Sequence, residues 1–145
     1  MRVPMRVDYG VRALVDLAQH SGDGPVSTAA IAGRQSIPEP YLDQVLGTLQ
    51  KLGFIRSRRG PQGGHTLAMV PSDISLGTVI EKLEGMGTPL VCIDDPEECT
   101  LSGACAQREV WQTVEATVHN VLSGTTIADL AVRQQHLASR GMYYI

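Results

Sequence analysis

A mainly α-helical domain carrying one small β-hairpin is the fold class that the 145-residue sequence predicts. Three observations predict it. Apolar residues recur at three- and four-residue spacing over most of the chain, clusters of Gly, Pro, Ser and Asp separate those runs, and a single pair of short strand-like runs flanks a Gly-rich loop. With 43% apolar and 19% charged residues the chain lies near the globular average, which excludes a fibre or a disordered tail. No apolar run approaches the roughly 18 residues of a membrane span, and Arg and Asp interrupt the N-terminal pattern, so neither a membrane segment nor a secretion signal is expected.

Residues from about 5 to 19 form the first helix, because Val7, Val11, Leu14, Val15 and Ala18 share one helical face; the run Ser21-Gly22-Asp23-Gly24 stops it. Ser27 or Thr28 caps a short helix through Ala29, Ala30, Ile31 and Ala32 that ends near Gln35. Ser36, Ile37 and Pro38 make a brief turn. Tyr41, Leu42, Val45, Leu46, Leu49 and Leu52 then trace a further amphipathic helix, closed at Gly53. Strand-like runs at 54–57 and 66–69 flank RRGPQGGH, a hairpin loop by its Gly and Pro content. Helix, turn, helix, hairpin is the order of a winged helix-turn-helix. Ser75 caps a helix from Leu76 to Glu84 with Val79, Ile80 and Leu83 on one side, whereas Gly85 to Ala104 has no period. A longer helix runs from Ala106 to about Leu122, with Val110, Val114, Val118 and Val121 as a stripe and Trp111 and Leu122 beside it. Thr126 with Asp129 gives a capping-box start to a last short helix, and the tail beyond Arg133 is expected to fray.

The formal net charge of -3 hides an uneven distribution: between Gln50 and Val70 stand Lys51, Arg56, Arg58, Arg59 and His65, with no acid. A hairpin that holds Arg58 and Arg59 beside Gly60, Gly63 and Gly64 lets backbone approach a phosphate chain while guanidinium groups enter a groove. The preceding helix offers Tyr41, Asp43 and Gln44; a Gln amide can pair bidentately with adenine, and an Asp carboxylate can accept from a cytosine amine. The competing plain reading is a solvated basic loop behind an ordinary exposed helix face.

Cys92, Cys99 and Cys105 form C-x(6)-C-x(5)-C within one 14-residue stretch, too loose for the paired knuckles of a zinc ribbon, and their odd number without a signal peptide does not read as a disulfide framework. A reducing, cytoplasmic setting follows. Soft thiolates on a Gly- and Pro-containing loop suit an iron-sulfur cluster, zinc or copper(I), with three idle cysteines as the bland alternative. Asp8 and Arg12, four apart on the first helix, read as an exposed ion pair worth about 0.3–0.5 kcal/mol. His20, His65, His119 and His136 are scattered, and no nucleophile elbow, Walker loop or HExxH is present, so no enzyme is expected.

The N-terminal DYGVRALVDLA, the helix PYLDQVLGTLQKLGFI, the wing RSRRGPQGGHTL, ISLGTVIEKLEG and three cysteines before a long helix together resemble the Rrf-two family of winged-helix transcription regulators, over nearly the whole chain to about residue 132. The resemblance implies a homodimer that binds palindromic double-stranded operators, mostly as a repressor, and that holds a 2Fe-2S or 4Fe-4S cluster on Cys92, Cys99 and Cys105. Two branches differ in the remaining ligand. The iron-sulfur assembly type (IscR-like) has a His three residues after its third cysteine, where this chain has Arg108. The nitric-oxide-sensing type (NsrR-like) has an Asp on the first helix that reaches across the dimer, and Asp8 stands there with its accompanying Arg12. The resemblance therefore favours a 4Fe-4S cluster over a 2Fe-2S one, with Asp8 from the partner subunit. The first cysteine gap is six residues rather than the five common in both types, Pro40 replaces a Ser of the IscR type, and His65 stands where Tyr is common. For DNA it points to Tyr41, Asp43 and Gln44 in one groove, and to Arg59 with the following glycines in the minor groove.

The resulting expectation is one winged-helix regulator domain over 1–145, with about 5–70 binding DNA, 85–105 forming the cluster loop and 106–122 the dimerisation helix. The function expected is a homodimeric regulator sensing nitric oxide, redox or iron-sulfur status. Two competitors stand beside it: a cluster-free winged helix that senses thiol oxidation or a partner, and an iron-sulfur or metal scaffold protein whose basic wing meets another protein.

Overall fold

The structure, a computed structural model, describes residues 2–142. Its helices are α1 (Met5–Gln19), α2 (Thr28–Gln35), α3 (Glu39–Lys51), α4 (Leu76–Glu84), α5 (Val91–Asp94), α6 (Ala106–Ser123) and α7 (Ile127–Gly141); between α3 and α4 lie the strands β1 (Ile55–Arg58) and β2 (Gly64–Leu67).

The caps read from the sequence at Ser75 and Thr126 form as expected, and of the two candidates for α2 it is Ser27 that caps. Ser27 Oγ accepts from the Ala30 amide, Ser75 Oγ accepts from the Thr78 amide, and Thr126 and Asp129 exchange both bonds of a capping box. These bonds satisfy amides that the first helical turn leaves without partners.

Helix α1 is the hub. It packs against α2, α3, α4, α7 and β2, so five consecutive residues, Ala13 to Leu17, are buried rather than a single stripe. By contrast α3 keeps the amphipathic pattern, with Leu42, Val45, Leu46 and Leu49 inside and Tyr41, Asp43 and Gln44 outside. Each of those inner leucines contributes about 1.5–3 kcal/mol by leaving water. Phe54, Ile55, Ile74, Val79, Leu83 and Ile127 complete the same core.

Three expectations are corrected. The strands are 55–58 and 64–67 rather than 54–57 and 66–69, paired antiparallel from Ile55 opposite Leu67 to Arg58 opposite Gly64. The Gly63 amide donates to the Gly60 carbonyl at 2.9 Å, and this tight turn brings Gly64 and His65 out of the loop and into the ladder. The aperiodic stretch after Gly85 contains α5 and a 3-10 turn at Pro96–Glu98. The last helix does not fray after Arg133 but continues to Gly141; the expected tail beyond 142 lies outside the described residues. Burial of Ile127 and Ala131 against α1, and a bond from Gln19 Nε2 to the Ala131 carbonyl at 3.1 Å, anchor α7.

Helix α6 has no buried residue. It leans on α4, with Val118 and Leu122 half-buried, while Val110, Trp111, Val114 and Val121 face outward. The apolar stripe read from the sequence is thus only partly covered by α4, at Val118 and Leu122.

Candidate nucleic-acid interface and thiol segment

Helices α2 and α3 meet at Ser36, which takes the left-handed conformation (φ 52°) and donates its amide to the Ala32 carbonyl. Buried Ile37 follows, and Pro38 and Pro40 open α3 where missing amide protons cost nothing. A buried polar knot sets the angle between α1 and α2. The Asp16 carboxylate, 1% exposed, accepts from Arg34 Nε at 2.9 Å, Arg34 Nη2 at 2.8 Å and Gln35 Nε2 at 3.0 Å. Arg12 adds a second tie, bonding Asp8 Oδ2 at 3.3 Å and the Gln35 carbonyl, with its guanidinium 5.8 Å from the Tyr9 ring centre. Sequence reading missed Asp16; its only signal was an acid between Val15 and Leu17 in an otherwise apolar run.

The outer face this frame presents is polar. Tyr41, Asp43 and Gln44 are exposed on α3, and Arg56, Arg58 and Arg59 are exposed on the wing. The wing glycines divide by role. A Cβ on Gly63 would lie 2.1 Å from the Arg58 carbonyl oxygen, and one on Gly64 (φ 145°) 2.6 Å from that of Val26. Their missing side chains are required by the wing's own backbone. Gly60 (φ 107°) sits at the exposed tip with nothing within 4 Å.

His65 is half-buried, and its side chain and backbone are both engaged within the protein. Its amide and carbonyl pair with Val26 at 2.8 and 2.9 Å, Nε2 lies 2.9 Å from Thr28 Oγ1, and Nδ1 lies 2.7 Å from Ser57 Oγ. Thr28 Oγ1 in turn donates to Asp43 Oδ1 at 3.3 Å. Burial holds the imidazole below its ordinary pKa, and the nearby Asp43 charge opposes part of that effect.

The three cysteines are free and half-buried. Cys92 lies in α5, Cys99 follows the 3-10 turn, and Cys105 is the residue before α6. Arg108 Nε donates to the Cys92 carbonyl at 2.9 Å, tying α5 to the start of α6. The donor chemistry, three unbridged thiols on one short segment, fits a soft metal centre. Among the described residues, however, no three His, Cys, Asp or Glu side chains gather as a metal site, so one protomer does not present a finished cage. Asp8, on the first turn of α1, engages Arg12 of the same chain. No helix among the described residues is long and apolar enough to cross a membrane.

An outward helix placed by a helix-turn-helix, followed by an arginine-bearing hairpin, defines a winged-helix protein of the DNA-binding regulator class. The family described as "Rrf2: Iron-dependent Transcriptional regulator" matches residues 3–133, and the chain belongs to this Rrf2 (Rrf-two) family of transcriptional regulators. It is 36% identical to "Protein rrf2" of Nitratidesulfovibrio vulgaris over 90% of this chain and 87% of that one. It is 33% identical to the transcriptional regulator CymR of Bacillus subtilis over the full length of both. The solved structure of that CymR, described as the global cysteine regulator, superposes with a TM-score of 0.79, covering 92% of this chain and 98% of the other. The T. potens IscR structure, 38% identical, gives 0.74 over 92% of this chain and 88% of that one. The family and CymR are named as transcriptional regulators, a non-enzymatic class.

Proposed function

We propose that the protein is a cytoplasmic, homodimeric transcriptional repressor whose grip on a palindromic operator depends on an iron-sulfur cluster. The observation that carries the reading is the thiol segment: three free, half-buried cysteines on a short stretch that joins the core helix α4 to α6. Cys92, Cys99 and Cys105 would hold the cluster, with Asp8 of the partner subunit as fourth ligand, Arg12 beside it and 4Fe-4S preferred over 2Fe-2S. A cluster shared in this way would supply a centre reactive toward nitric oxide or oxygen, with the hard carboxylate as its most exchangeable ligand.

This chain's own residues do the rest. Tyr41, Asp43 and Gln44 face the major groove of each half-site, while Arg56, Arg58 and Arg59 follow the phosphates and reach the minor groove. Val110, Trp111, Val114 and Val121 form an uncovered apolar face of the kind two copies of α6 would bury against each other. The two recognition helices would stand about one DNA turn, roughly 34 Å, apart. A segment that orders or loosens at the base of α6 re-aims one helix relative to the other. A coupling of about 1–3 kcal/mol, roughly 5- to 150-fold in affinity, suffices for a switch.

A second reading is a cluster-free regulator that senses thiol oxidation or a partner. It is favoured by the dispersed cysteines within one protomer and by similarity along the whole chain to CymR, described as the global cysteine regulator. Protein purified without air decides between them. The cluster reading expects visible absorbance with iron and acid-labile sulfide, lost in Cys99→Ser together with cluster-dependent operator affinity, and a shortened cluster lifetime in Asp8→Ala. Colourless, metal-free protein with full specific DNA binding establishes the second reading.

A further inference from the structure

The chain of polar contacts through His65 links the two wing strands, the first turn of α2 and α3, and its direction can be worked out. A carboxylate only accepts, so the single hydroxyl proton of Thr28 goes to Asp43 Oδ1. The Thr28 oxygen, 2.9 Å from Nε2, then accepts from the ring, and in the neutral imidazole that burial favours the proton sits on Nε2. Nδ1 is left as an acceptor for the Ser57 hydroxyl at 2.7 Å. One directed relay therefore runs from β1 through β2 and the first turn of α2 to α3. Backbone pairing of Val26 with His65, and the close approach of Val26 to Gly64, clamp the middle of it.

We infer that His65 is a positioning residue that joins the wing and the recognition helix into one reading unit and sets the orientation of the Asp43 carboxylate. Through Thr28 the relay occupies Oδ1 of the exposed Asp43 and leaves Oδ2 to accept from a ligand, the arrangement suited to a cytosine amino group. Fixing a carboxylate in advance spares the complex the cost of ordering it, and prevents it from swinging toward the phosphates, where it would be repelled. The inference deepens the DNA-binding reading above and rests on it.

The test starts with full-length wild-type protein selecting from a pool of randomised 30-base-pair duplexes. Affinities for the enriched duplex and for a shuffled duplex of equal composition are then compared among wild type, Thr28→Val, His65→Leu and His65→Gln, with urea melts establishing that each variant folds. The relay predicts a 3- to 10-fold loss for Thr28→Val and His65→Leu on the enriched duplex, about the worth of one hydrogen bond, with little change on the shuffled one. His65→Gln, whose amide also carries one donor and one acceptor, should recover specific binding to within about threefold. Nitrogen-15 spectra of the wild type should show the Nε2-protonated tautomer at neutral pH. Equal losses on both duplexes, no recovery by glutamine, or a Nδ1-protonated ring would overturn the proposal. Enrichment of no sequence by the wild type would instead refute the DNA-binding reading and remove the relay's role, while leaving the tautomer assignment intact.

Discussion

Replacing Asp16 with alanine should destabilise the fold by about 3 kcal/mol, and the figure follows from what the carboxylate holds. Its two oxygens accept from Arg34 twice and from Gln35 once, at 2.8 to 3.0 Å. Gln35 is only 9% exposed, so its amide loses its partner without gaining water, a penalty of about 1–3 kcal/mol. Arg34 is different: its side chain is 39% exposed, so it rehydrates after the change, and its two bonds must be discounted to about 1 kcal/mol together. The small hole left by the carboxylate contributes the remainder. Urea unfolding followed by circular dichroism measures the effect. With a slope near 1.5–2 kcal/mol per molar, the midpoint should fall by about 1.5–2 M with no change in slope. Adding Arg34→Ala to the Asp16→Ala background should cost under about 0.5 kcal/mol, since the partner is already gone. A loss below about 1 kcal/mol for Asp16→Ala, or full additivity in the double variant, would refute the account of the knot.

Gly64→Ala should weaken both folding and operator binding, because its Cβ would meet the Val26 carbonyl at 2.6 Å, whereas Gly33→Ala, exposed in α2 with nothing within 4 Å, should raise the melting temperature by about 2–4 °C; calorimetry of the two variants checks the contrast. His65 binds its proton less readily in the fold than in the unfolded chain, where its pKa is near 6.5, so stability is lost as pH falls below about 6.5 and levels off once the folded group also protonates. Asp43 lies near it on α3, Arg56 and Arg58 flank Ser57 on β1, and His20, just past the end of α1, lines a surface cleft together with His65. The stability advantage of wild type over His65→Gln should therefore shrink between pH 7.5 and 5.5, and an advantage that stays constant in urea melts contradicts this. Val114→Glu combined with Val110→Glu on the outward face of α6 should yield a monomer by light scattering with its helical content retained; a dimer of unchanged mass would place the contact elsewhere.

Much of the fold was legible because its signals are local. Ser27, Ser75 and Thr126 each mark a helix start whose bond is made within three residues, so neighbouring sequence suffices to decide it. The period of α3 was equally plain, since that helix has one buried side and one open side. The length of α7 had a signal that was overlooked: Gln134, Gln135, Leu137, Ala138 and Arg140 are good helix formers. The candidate DNA residues on α3 and at the wing tip were readable from charge and order along the chain, whereas the thiols were readable as a set but not as a site.

What the sequence determined by itself is therefore the order of the helices, their caps and the turn between α2 and α3, all governed by interactions a few residues long. Only the tertiary structure decided that Asp16 is a buried anchor, that His65 is held by Thr28 and Ser57 while Gly63 and Gly64 serve the wing's own backbone, and that the α6 stripe is covered only at Val118 and Leu122. Those outcomes depend on which distant segments come to lie beside a residue, as with Arg34 for Asp16 or Val26 for Gly64. Spacing along the chain fixes what a residue can do, but neighbours brought in by packing select which of its chemistries is used.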